Sequence, residues 1–147
     1  MRLRLFAASY LEQAHFFRGE YEGAIELATA NLAAMPADWV YESFGVAIPI
    51  AIYDRYRLIQ SLAWLGRFAE AARYEAEALR LAEQTQQAYT LGMVQDAASW
   101  FHLIKGDWAK ARSRTSTGSR WSGHATESSI YPAPWPPPPG RSRRSAR

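Results

Sequence analysis

The sequence predicts an all-α protein, an α-solenoid of antiparallel helical hairpins followed by a disordered C-terminal tail. Three observations predict it. A short pattern (glycine, any residue, an aromatic, two residues, alanine) occurs three times, as Gly19-Glu-Tyr21-Glu-Gly-Ala24, Gly66-Arg-Phe68-Ala-Glu-Ala71 and Gly106-Asp-Trp108-Ala-Lys-Ala111. Chance would supply roughly 0.2 matches at this composition. Helix-period apolar residues flank each copy, in segments rich in Ala, Leu, Glu and Arg and poor in β-branched residues. After Arg112 that periodicity stops.

Each hairpin follows from the same local chemistry. Apolar helical patterns precede the three glycines at Leu5 to Phe17, Ala51 to Leu65 and Ala88 to Ile104. Others follow them at Tyr21 to Ala34 and Phe68 to Ala82, with a short start at Trp108. A glycine suits a helix C-terminus, where φ turns positive and a side chain would clash. With so short a connection the two helices run antiparallel. The aromatic is expected to fold back on its own first helix, and the small alanine to sit where the two axes approach. In the second unit Leu58, Ile59 and Leu62 form an inner stripe that meets Phe68, Ala71, Ala78 and Leu79. A lone hairpin cannot bury such a stripe, so the units, at about 5–35, 50–85 and 88–112, are expected to stack.

The glycine spacing is uneven, 47 residues and then 40. The longer gap holds an insertion from Pro36 to Pro49, with Pro36 stopping the second helix and Pro49 opening the third. Between them Asp38 is a candidate cap for a single helical turn. The stretch is apolar enough to pack on the edge of the stack.

These positions resemble tetratricopeptide repeats. In that family a large residue, leucine and a small residue mark the first helix, alanine marks the second, and proline often ends the unit, where Pro36 stands here. The family's first-helix glycine is replaced by Glu12, Ile59 and Ser99. The run Glu42-Ser-Phe-Gly45, Pro49 and Tyr56 to Ala71 is similar to the C-terminal repeat region of large bacterial proteins that join an adenylate/guanylate cyclase domain, an AAA-type ATPase domain and tetratricopeptide repeats. Leu81-Ala-Glu, Tyr89-Thr-Leu and Lys105 to Ala111 extend the likeness, which covers roughly residues 5–112. The resemblance implies a non-catalytic protein-binding module, a scaffold or sensor arm of a signalling or regulatory protein. It implies a concave groove lined by first helices, at Phe6, Gln13, Phe17, Tyr53, Tyr56, Gln60, Trp64, Asp96 and Trp100. Gln13 and Gln60 recur in register beside aromatics and suit the backbone of a peptide or protein segment. The alternative reading of those aromatics is packing against a neighbouring repeat or domain. Neither end shows an evident capping helix, which leaves self-association open.

Composition bounds the rest. The chain has 147 residues, enough for one domain, and no cysteine, which excludes disulfides and thiol chemistry. No stretch approaches the roughly 20 apolar residues of a membrane span. The apolar start carries Glu12 and His15 and no cleavage-type end, so no signal peptide and a cytoplasmic location are expected. Residues 1–112 hold 11 Arg/Lys against 13 Asp/Glu, whereas residues 113–147 hold six Arg against one Glu. A nucleic-acid or acidic-surface role would rest on that tail alone. The tail is dominated by Ser, Pro, Arg and Gly and is expected to be disordered, as an out-of-frame extension or as a polyproline ligand at Pro132 to Pro139.

The search for catalytic chemistry returns little. Gly118-Ser-Arg-Trp-Ser-Gly123-His-Ala125 has the glycines of a phosphate loop without its Lys and Ser/Thr. His15 and His102 share a register, but on first and third hairpins they would stand roughly 20 Å apart, too far for one metal. Glu20, Glu22, Glu26, Glu70, Glu75 and Glu77 have the spacing of a solvated face. No enzyme activity, metal or cofactor is expected.

Overall fold

A computed structural model describes residues 1–122, with side chains through residue 116. The architecture is all-α. The helices are α1 (Arg2–Phe17), α2 (Tyr21–Ala34), α3 (Ile50–Trp64), α4 (Phe68–Thr85), α5 (Ala88–Lys105) and α6 (Trp108–Ser122). A single 3-10 turn, Ala37–Trp39, follows α2, and there is no strand among the described residues.

The three sequence motifs build three copies of one turn. Gly19, Gly66 and Gly106 have φ of +78°, +73° and +85°, a region that costs residues with a Cβ about 1–2 kcal/mol. In each copy the amide after the glycine reaches back to the carbonyl five residues earlier: Glu20 N to His15 O at 2.9 Å, Arg67 N to Leu62 O at 2.9 Å, and Asp107 N to His102 O at 2.8 Å. These bonds satisfy carbonyls that a helix end leaves open. The next helix starts at once, with Ala24, Ala71 and Ala111 donating to the carbonyls of Glu20, Arg67 and Asp107. All three alanines are buried. Gln86, with φ +53°, closes α4 in the same left-handed way without glycine.

Packing follows a regular order. Each helix pairs with its hairpin partner, α1 with α2, α3 with α4 and α5 with α6. First helices also touch, α1 with α3 and α3 with α5, and each second helix touches the next first helix, α2 with α3 and α4 with α5. The core gathers Ile25 and Ala28 from α2, Ile52, Leu58, Ile59 and Leu62 from α3, Ala71, Ala78 and Leu81 from α4, and Val94, Ala97 and Phe101 from α5. Two of the three motif aromatics reach the next hairpin, while the third, Trp108, is exposed. Tyr21 sits 5.6 Å from Phe16 of its own hairpin and stacks at 6.0 Å on Trp64 of the next. Phe68 likewise lies 6.3 Å from Phe101 of the third hairpin. An aromatic at that position therefore joins hairpins instead of only closing one.

Two local expectations are corrected. The helical region does not end at residue 112: α6 continues to Ser122, through the first part of the stretch assigned to a disordered tail. Tertiary bonds support that continuation. Ser99 Oγ donates to Ala111 O at 3.2 Å and meets Thr115 Oγ1 at 2.7 Å, while Arg114 pairs with Glu75 at 2.9 Å. The polyproline segment from Pro132 lies outside the described residues. Asp38 lies inside the 3-10 turn and caps nothing, since Pro36 holds the position before it. Asp107 is the acidic residue that caps, accepting from Lys110 N at 3.2 Å. The insertion packs through Trp39 and Phe44, edge to face at 5.4 Å, with Arg2 of α1 over both rings.

Replacing Gly66 by Ala should lower stability by about 1–2 kcal/mol, because nothing crowds the site and only the positive φ resists a Cβ. Urea denaturation of wild type and variant measures it.

Candidate functional site: the face of the first helices

α1 packs against α3 and α3 against α5, so the positions chosen by register lie on neighbouring helices. They divide by exposure. Phe17, Trp64 and Trp100 are exposed, at 72%, 52% and 47%. Phe6, Gln13, Tyr53 and Asp96 are half-buried. Tyr56 and Gln60 are buried, which corrects their assignment to an open groove. Tyr56 belongs to the core and donates its hydroxyl to Asp96, joining α3 to α5. Burial pushes the Asp96 carboxyl up, against the Tyr56 bond, which lowers it. Phe6 packs on Tyr10 at 4.7 Å and faces Phe44 of the insertion across a shallow hollow with Arg2 and Leu3.

Arg57 organises the surface between α1 and α3. Its guanidinium lies 5.0 to 5.3 Å from the ring centres of Phe16, Phe17, Tyr53 and Tyr56. Its Nε and Nη2 donate to the Tyr53 hydroxyl at 3.1 and 3.0 Å, and Nη1 donates to Gln60 Oε1 at 3.0 Å. The residue is buried, and no carboxylate pairs with it directly among the described residues. Rings and neutral oxygens hold the charge instead, a role that suits the delocalised fork of arginine. Burial pushes the Tyr53 phenol up and Arg57 opposes that shift. Gln60 is thus committed inside the protein, and Gln13 alone of the two glutamines remains near solvent.

A second cluster lies deeper, where three helices meet. Asp54 of α3 accepts from Ser9 Oγ of α1 at 2.7 Å and from Asn31 Nδ2 of α2 at 2.9 Å. Asn31 also donates to Ser9 Oγ and to Leu5 O, each at 3.1 Å. Glu12 of α1, fully buried, comes against Asp54. Neither Glu12 oxygen receives a donor from the protein among the described residues. A proton on Glu12 resolves this: the carboxyl becomes a donor to Asp54, whose own oxygens are both served. Burial first, and then the neighbouring Asp54, push Glu12 up to about 10, against a weaker pull from Arg57. Burial pushes Asp54 up to about 7, against the bonds from Ser9 and Asn31. One proton shared between two acids is the expected state of such a pair near neutrality. Glu12 occupies the register of Ile59 and Ser99, and a carboxyl at an interior position was the signal for this cluster.

The glutamates do not form one solvated face. Glu75 is buried and meets His102 Nε2 at 3.1 Å and Arg114 at 2.9 Å, joining α4, α5 and α6. Its spacing matched that of its exposed neighbours, but the third hairpin covers it. Glu20 pairs with His15 at 2.6 Å and Arg18 at 2.8 Å, and Glu77 pairs with Arg55 at 3.1 Å. His15 and His102 therefore serve separate acid partners. Among the described residues no group of three His, Cys, Asp or Glu is placed to hold a metal, and no helix is long and apolar enough to cross a membrane. The first part of the glycine pair at 118 and 123 lies in α6, and the rest lies outside the described residues.

No protein-family model, curated protein or solved structure matches this chain.

Replacing Arg57 by Lys should cost about 1–3 kcal/mol, because one ammonium cannot serve both Tyr53 and Gln60 from a place among four rings. Chemical denaturation read by circular dichroism checks this, with the helical signal of the folded variant unchanged.

Proposed function

We propose that the chain is a tetratricopeptide-like α-solenoid segment acting as a non-catalytic protein-binding module. The observation that carries this reading is the packing order. Successive first helices touch, and α2 and α4 are each seated against both their own and the next first helix. That order is what a stack of helical hairpins requires, and it leaves α1, α3 and α5 as one continuous face. Exposed aromatics on this face, Phe17, Trp64 and Trp100, supply apolar anchors of the kind that dominate peptide recognition. Gln13 supplies a polar group for the partner's backbone. The likeness of residues 5–112 to the repeat region of cyclase–ATPase proteins supports a place as a scaffold or sensor arm.

Selection of a displayed random-peptide library on the folded chain should enrich a peptide family. Trp64→Ala and Trp100→Ala should each weaken a selected peptide by about tenfold or more, with helicity retained. Isothermal titration measures the loss. Failure to enrich any peptide, or affinity unchanged in both variants, would overturn the reading.

A further inference from the structure

We propose that Glu12 and Asp54 form a proton-operated latch between the first and second hairpins, holding α1 against α3 while they share a proton and releasing it once the pair is stripped. A proton on Glu12 satisfies the site, since Glu12 has no protein donor among the described residues and Asp54 is already served. Asp54 has both oxygens occupied, by Ser9 from α1 and Asn31 from α2. Glu12 is enclosed completely and has no protein donor of its own among the described residues. Its proton is therefore the contact between the two carboxyls.

The surrounding charges cannot replace that proton. On α1 Tyr10 acts on Tyr53, beside the pair, and on α2 the neutral Asn31 bonds to Asp54. On α3 the neighbours are Tyr53, Arg55 and Arg57. Arg55 is held by Glu77 at 3.1 Å and by Ala51 O at 2.9 Å. Arg57 is held by Tyr53, Gln60 and four rings, so it lowers the cost of one negative charge without contacting a second. Two buried anions in contact repel and lack solvation, and the available relief is to part α1 from α3. The sign is fixed by proton binding. Both acids hold protons more tightly folded than unfolded, so their contribution to stability is full in acid. It drains as pH rises past the ordinary carboxylate range, through neutrality and into the alkaline range. The latch rests on this packing alone and holds whatever the exposed face binds.

The chain has no cysteine, so a pair can be placed for spin labels at exposed Ala7 on α1 and Ala72 on α4. In the full chain the distance between the labels should lengthen or broaden from pH 5 to pH 9. The melting temperature should fall over the same range, on the order of 10 °C. Glu12→Gln keeps a donor toward Asp54 and removes the second acid. Its label distance should stay fixed and its melting temperature should vary far less with pH. Asp54→Asn leaves Glu12 as a single acid without the neighbour that raises it, so its response should weaken and end at lower pH. A wild-type distance that ignores pH, or an undiminished response in either variant, would overturn the latch.

Discussion

The enclosure of α3 is the constraint on which the rest of the structure depends. Twelve of its fifteen residues are buried, because hairpins lean on it from both sides and α4 covers a third. Burying Leu58, Ile59 and Leu62 contributes on the order of 1.5–3 kcal/mol each. The same enclosure takes Asp54, Arg57 and Gln60 out of water. A buried charge left without a partner costs about 3–5 kcal/mol, enough to cancel two such side chains. The apolar gain is therefore kept only if the neighbouring helices bring polar partners to the right depth. Ser9 and Asn31 do so for Asp54, and the rings of α1 do so for Arg57.

This requirement makes the two junctions between hairpins unlike each other. Between the second and third hairpins the contact is largely apolar, built from Ile59, Leu62 and Ala78 against Val94, Ala97 and Phe101. Polar links there join acids to donors: Asp96 to Tyr56, and Glu75 to His102 and Arg114. Between the first and second hairpins donors also serve acids, Ser9 and Asn31 on Asp54 and Arg67 on Glu22, but there acid meets acid as well. Proton loss therefore adds repulsion at one junction and leaves the other with its apolar seal.

How much of this the sequence discloses depends on the range of the interaction. The three turns are legible because their determinants lie within six residues: glycine for the positive φ, a small residue for the close approach, an aromatic between them. The hairpin core is legible for the same reason, since Leu58, Ile59, Leu62, Ala71 and Ala78 follow helical period and all are buried. Partners from other hairpins are not legible. Glu75 has the spacing of a solvated glutamate, and only the arrival of α5 and α6 buries it. Tyr56 and Gln60 stand in register with exposed residues, yet contacts from α5 and from Arg57 draw them inward. The sequence alone ends the helical region at Arg112, because the apolar period fades there. The bonds from Ser99 and Glu75 that support α6 beyond it come from residues distant in sequence.

The candidate face inherits this division. Trp64 and Phe17 are exposed, but neither is free of the interior: Trp64 lies on Tyr21, which lies on Phe16, and Phe17 borders the guanidinium of Arg57. Both tie α1 and α2 to α3 at the turn end of the stack, while Asp54 ties them lower down. The relative position of Phe17 and Trp64 is then set by how closely hairpin 1 sits on α3. Trp100 belongs to α5, across the apolar junction, and keeps its place beside α3 whatever hairpin 1 does. A partner spanning all three aromatics would meet one fixed half and one half whose position follows the protonation of a buried acid pair. On the proposed reading, recognition at the surface and proton binding in the interior would both depend on the same helix-to-helix distance.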